Sequence, residues 1–213
     1  MTAKVRQENV NYYTEALKTV DIAIKKTFEE KQIGVQVGIG ELLTTEIYHT
    51  YVTKSSDEVI ERKPLNLPPL SFSTVGMWFN IPEEIKKEIE DQGLDFDGGI
   101  HAVEHAMIAM SPIFAMCDRW DIGGLSTPLH PDTGEPTIFI YDGFEGGIGI
   151  SETLYSTIKP LLEKTLQLID KCECKDGCPS CIYSPKCGNE NQPLDKKAAS
   201  LILKQLLIRI DHQ

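Results

Sequence analysis

Apolar and polar positions alternate in the first third of the chain and take helical spacing afterwards. Val20, Ile22 and Ile24 alternate with polar or small residues inside 10–31, the period-two pattern of a half-buried strand. Val35, Val37 and Ile39 fall on one face of a short strand or hairpin arm between Gly34 and Gly40. Residues 44–53 (T-T-E-I-Y-H-T-Y-V-T) are dense in β-branched and aromatic side chains and predict a strand. Residues 54–69 read as a polar turn followed by an extended, Pro-rich connection, and 71–79 return as a strand carrying Trp78. Residues 10–80 therefore predict a small, mostly antiparallel sheet.

From there the period changes. Asn80 is a suitable N-cap, Pro82 suits a first turn, and Glu83 and Glu84 complement a helix dipole. Ile81, Ile85 and Ile89 repeat every four residues, and Gly93 stops the pattern. Gly98 and Gly99 precede a more apolar helix predicted over 100–117, with a kink at Pro112. A Gly-rich segment, a turn over 130–136 and a buried strand over 137–141 follow. A long helix is predicted from about 150 to 172, and a last helix over 194–210 carries Leu194, Ala198, Leu201, Ile202 and Leu206 on one stripe. The fold class is α+β: a small, mostly antiparallel sheet packed with helices, plus a cysteine-rich loop between two C-terminal helices. Residues 1–80 are the mostly β portion and 81–213 the mostly helical portion, read as one integrated domain.

That loop changes the picture most. Five of the six cysteines fall within 172–187, spaced C-x-C-x3-C-x2-C-x5-C, with Gly177 and Pro179 as built-in bends. Thiolates converging from such a loop suit one soft cation, and a closed shell of four sulfurs marks a structural Zn2+ site. An iron–sulfur cluster also takes four cysteines and is the alternative cofactor. Cys172, Cys174, Cys178 and Cys181 form the tightest set, and Cys187, beyond a Ser-Pro turn, is the alternative fourth ligand. The zinc loop spans 172–191.

Composition narrows the setting. With 213 residues, 41% of them hydrophobic, the chain can bury a core without leaning on metal alone. No apolar run opens the chain or approaches the length of a membrane span, so a reduced, cytoplasmic location is expected and no membrane partner. A formal net charge of −11 argues against a broad phosphate-binding face.

Other polar constellations carry less. His101, Glu104 and His105 form H-x-x-E-H on a helix, the pattern of inverted zinc peptidases, which also need a third ligand; Glu145 and Glu152 are available, and neither is specified. Asp118, Arg119 and Asp121 read as an Arg–carboxylate brace around a tight turn beside Gly123 and Gly124. Asp142 opens D-G-F-E-G-G-I-G, a strand–turn–helix that lacks both the P-loop lysine and the dinucleotide glycine frame, so close packing is the better account. These seven residues are expected to form polar networks rather than catalytic sites, and no catalytic activity is expected of the chain alone.

Six blocks taken together carry a resemblance. They are V-N-Y-Y-T (10–14), L-N-L-P-P-L-S-F-S-T (65–74), G-G-I-H-A-V-E-H-A (98–106), M-C-D-R-W-D-I-G-G-L-S (116–126), I-F-I-Y-D-G-F-E-G-G-I-G (138–149) and the cysteine block running through P-L-D-K (172–196). The chain resembles the C-terminal zinc-binding region of superfamily 2 DNA helicases of the mitomycin repair factor A type. The resemblance implies a metal on Cys172, Cys174, Cys178 and Cys181. It also implies an accessory role beside helicase motor domains, in cis or in trans, within an ATP-dependent 3′-to-5′ DNA helicase of repair. Single-stranded DNA would be met through the full helicase. The motor's own motifs (Walker A, the D-E-x-H box) are absent from these residues. Two other readings are a zinc-dependent hydrolase built on H-x-x-E-H, and a protein-docking module whose acidic surface meets a basic partner.

Overall fold

The computed structural model describes residues 4–56 and 58–212. Six strands form one sheet in the order β1-β2-β4-β6-β5, with β3 pairing β2 beside this path. The strands are β1 (Tyr13–Gln32), β2 (Gln36–Ser55), β3 (Glu58–Pro64), β4 (Leu70–Asn80), β5 (Ile122–Thr127) and β6 (Thr137–Asp142), and every pairing is antiparallel. The helices are α1 (Glu83–Asp91), α2 (Phe96–Met110), α3 (Ile150–Ser156), α4 (Ile158–Lys171) and α5 (Lys196–Asp211). The α+β class and the cysteine loop between the last two helices stand as expected from sequence.

β2 is the hub. It pairs with β1 along nearly its whole length, with β4 through its first half and with β3 through its last six residues. β1 runs for 20 residues and crosses three register shifts; such bulges bend a strand and increase its twist. The hairpin tip turns at Gly34, with φ +82, where a Cβ would meet the Arg209 carbonyl oxygen at 2.3 Å. Only glycine lets the tip close against the end of α5.

One face of the sheet buries Val37, Ile39, Met77, Phe79, Ile138 and Ile140 against the helices. The other face carries a smaller cluster of Ile22, Leu42, Trp78, Phe139 and Tyr141. His130 seals that second cluster: its ring lies 4.6 Å from Phe139, Nε2 donates to the Ile22 carbonyl at 3.0 Å, and Nδ1 accepts from the Asp132 N–H at 3.2 Å.

Several local expectations need correction. Asn80 does not cap α1: it ends β4, buried, and donates to the Glu135 carboxylate at 2.7 Å, while Pro82 takes the cap position. α2 begins before the glycine pair, because the Asp95 carboxylate accepts from the Gly98 N–H. Gly99 then lies inside the helix, where a Cβ would meet the Ala198 Cβ at 2.7 Å, so the pair permits close α2–α5 packing. Pro112 does not kink α2: the helix ends at Met110 and Pro112 sits in a following 3-10 turn. The predicted 150–172 helix is two helices broken at Thr157, since Pro160 lacks the N–H that would continue the ladder to Ser156. The polar 54–69 connection contains a strand, β3, because pairing with β2 satisfies its backbone whatever its side chains.

Candidate metal centre

α4 delivers the first cysteine. Cys172 is the residue at its C-terminal end, and Cys174 follows two residues later. Gly177, at φ +123, reverses the chain before Cys178. The Cys181 and Tyr183 N–H groups both donate to the Cys178 carbonyl, closing a turn that brings Cys181 back beneath Cys178.

The four sulfurs converge. Sγ separations are 3.5 Å for Cys172–Cys174, 3.5 Å for Cys172–Cys178, 3.4 Å for Cys174–Cys181 and 3.7 Å for Cys178–Cys181. Zn–S bonds of about 2.3 Å in a tetrahedron give edges of about 3.8 Å, so these distances fit one shared ion. An iron–sulfur cluster needs more room, because each iron holds its own thiolate. The thiols also oppose one another. Burial works against ionising Cys174, yet Cys181, Cys172 and Lys196 bring its thiol down to about 7, whereas burial pushes Cys181 up to about 12. Only a cation among them lets all four ionise together.

Lys196, at the start of α5, braces the loop. Its ammonium donates to the Cys172 and Cys174 carbonyls, both at 2.6 Å, and reaches the Cys174 Sγ at 3.3 Å. A tetrathiolate around a divalent ion keeps two net negative charges, and Lys196 offsets part of that.

Cys187 stands apart from the other four. Its Sγ lies 3.5 Å from His101 Nε2, and His101, His105 and Cys187 place their ligand atoms within 4.8 Å of one another. Burial opposes ionisation of Cys187, but the two imidazoles bring its thiol down to about 6. The Asn191 N–H also donates to this sulfur at 3.3 Å. The Asn191 amide ties back to both backbone groups of Ser184, and Arg62 of β3 pairs with Glu190, so the 184–191 loop is held from two sides.

The other sequence candidates separate. Glu104 turns from the histidines toward β5, where its carboxylate accepts the Ser126 hydroxyl at 2.8 Å. Asp118 and Asp121 close a capping box on each other's backbone around a 3-10 turn, and among the described residues no ion pair involves Arg119. Asp142 is fully buried, and its two oxygens accept from the N–H groups of Ile148, Gly149, Ile150 and Ser151 and from the Ser151 hydroxyl. A carboxylate of the chain itself thus fills the place where a Gly-rich turn could have held phosphate. Lys186 is a residue the sequence reading missed. It donates to the Arg119 carbonyl at 2.6 Å and to that of Ile122, and burial pulls its ammonium down to about 8. A lysine beside Cys187 offers no pattern that would single it out.

A six-stranded antiparallel sheet layered with helices and locked by a tetrathiolate loop defines a zinc-binding domain. Residues 103–182, which include Cys172, Cys174, Cys178 and Cys181 and stop short of Cys187, match the MrfA Zn-binding domain. An uncharacterised protein of Methanocaldococcus jannaschii is 48% identical over 113 residues, covering 51% of this chain and 99% of that protein. The chain belongs to the family of MrfA Zn-binding domains, and its metal is Zn2+. The ATP-dependent helicase YprA of Bacillus subtilis is 33% identical over 184 residues, 84% of this chain and 24% of the helicase. The crystal structure of the DUF1998 helicase MrfA bound to DNA superposes with a TM-score of 0.63 at 26% identity, covering 94% of this chain and 26% of that one. The chain therefore spans about a quarter of the length of these two helicases. Among the described residues no helix is long and apolar enough to cross a membrane.

Proposed function

We propose that this chain is the zinc-stapled accessory domain of a DNA helicase, working beside motor domains in cis or in trans. The observation that carries this reading is the superposition of 94% of the chain on one part of a helicase solved with DNA. Cys172, Cys174, Cys178 and Cys181 hold the zinc, and the ion fixes the angle between α4 and α5. The β portion (1–80) and the helical portion (81–213) act as one unit, since β5 and β6 complete the sheet begun by β1–β4. Its work is to cap the motor and shape the exit path of single-stranded DNA during ATP-driven, 3′-to-5′ unwinding in repair, in the cytoplasm. Acidity matters to this assignment: at a net charge of −11, the domain guides a strand held mainly by the motor rather than gripping it alone.

The test is reconstitution. The purified chain is added to superfamily 2 motor domains from the same cell, on a duplex with a 3′ single-stranded tail. A several-fold change in unwinding rate or DNA affinity is expected, with a duplex tailed at the 5′ end unaffected. Unaltered affinity and unwinding with either substrate would dispose of the proposal.

A further inference from the structure

We propose that His101, His105 and Cys187 form a second metal site, holding one Zn2+ through three protein ligands with the fourth position open to a cavity.

The geometry is built from both sides. On α2 the i, i+4 spacing sets the two imidazoles together, with ring centroids 4.3 Å apart. Each ring is fixed through Nδ1: His101 faces the Pro193 carbonyl at 2.8 Å, and His105 faces the Ile182 carbonyl at 2.8 Å. A carbonyl can only accept, so each Nδ1 carries the hydrogen and each neutral ring presents its lone pair at Nε2. That tautomer is the one a metal requires, and an outer bond to a backbone carbonyl is the usual support of a ligating histidine. Cys187 supplies the third donor from a different element, and the Asn191 N–H already treats its sulfur as an acceptor.

The spacing fits an ion. With Zn–S near 2.3 Å and Zn–N near 2.0 Å at the tetrahedral angle, sulfur and nitrogen stand about 3.5 Å apart. Cys187 Sγ and His101 Nε2 are 3.5 Å apart, and all three ligand atoms lie within 4.8 Å of one another. Two nitrogens and one thiolate are borderline-soft donors, the set that Zn2+ prefers among abundant divalent ions.

Three protein ligands leave one place vacant in a tetrahedron, the donor count of an open site rather than a closed staple. The three residues line a cavity of about 770 Å³ together with Glu104, Lys186 and Trp120. Water or an anionic oxygen of a cavity ligand would take the remaining position. The alternative hydrolase reading of H-x-x-E-H is thereby recast: the third ligand is a cysteine from the loop after the zinc staple, and Glu104 faces β5.

Metal content decides the matter, whether or not the chain serves a helicase. The reduced full chain is loaded with Zn2+, freed of excess by gel filtration and measured by elemental analysis. Two ions per chain are expected for the wild type, and one for Cys187→Ser and for His105→Gln, both checked for folding by circular dichroism. Loading with Co2+ gives a second readout. The wild type should show a tetrathiolate spectrum plus a mixed nitrogen–sulfur one, and each variant should lose only the latter. Saturation at one ion in the wild type overturns the site, as does a second ion that survives both substitutions. If one variant does not fold, the other and the wild-type stoichiometry still decide.

Discussion

The His105 imidazole rests 2.8 Å from the carbonyl of Ile182, the residue next to Cys181. The two are 77 positions apart in sequence, and their contact joins α2 to the zinc loop. Order in the loop thereby becomes order at the histidines.

Removing a loop cysteine should cost heavily. Metal binding by a structural zinc site is folding free energy, on the order of 10 kcal/mol in small peptides. Cys178→Ser or Cys181→Ser should release the Zn2+ of the loop and lower the melting temperature by well over 10 °C, with chelation of the wild type doing the same. Calorimetry with and without chelator checks this, and an unchanged melting temperature would count against a structural ion here.

Lys196 should tune the metal without binding it. Lys196→Met removes three donated contacts to the loop. Outer-shell losses of this kind weaken metal affinity by roughly 10–100-fold. Competition against a chromophoric chelator measures the change. Lys196→Arg, which keeps the charge, should recover part of it.

Asp142→Ala should be among the most damaging changes outside the cysteines. It strips the acceptor from four backbone N–H groups and one hydroxyl at a fully buried position. Leaving such groups unpaired costs about 3 kcal/mol or more. Urea denaturation should show a lower midpoint with an unchanged slope.

Alkali should unfold the chain sooner than carboxylate and lysine chemistry alone would suggest. Burial, reinforced by the Glu46 carboxylate, pushes the Tyr48 phenol up to about 12; burial does the same at Tyr155 and raises Tyr141 further still. Raised values mean that the folded chain keeps protons the unfolded chain releases near pH 10. The resulting stability is fully present below pH 10 and is lost as pH rises from 10 towards 12. Melting temperatures across that window should fall less steeply in Tyr48→Phe than in the wild type.

Features whose cause is local were legible in the sequence. Ile85 and Ile89 are buried as their spacing implies, the 137–141 run is a buried strand, and the cysteine spacing pointed to a tight cluster. Features whose cause lies across the fold were not. β5 was hidden because Gly123 and Gly124 look like a loop. A Cβ on Gly123 would meet the Tyr141 ring at 2.1 Å and one on Gly124 would meet the Glu104 carboxylate at 2.6 Å, so tertiary crowding selects glycine within a strand. The pairing of Cys187 with His101 was equally invisible, since the two lie 86 residues apart in sequence.

The order of elements along the chain has a consequence for assembly. All six strands of the described residues end by Asp142, and the first of the four clustered cysteines is Cys172. During synthesis from the N-terminus, the whole sheet is available to pair before any part of the ion's cage exists. Zinc then arrives as the final latch, closing α4 and α5 over a sheet already in place. A cell short of zinc should accumulate a species with its β-sheet formed, its helical layer ajar and its apolar face exposed to chaperones and proteases.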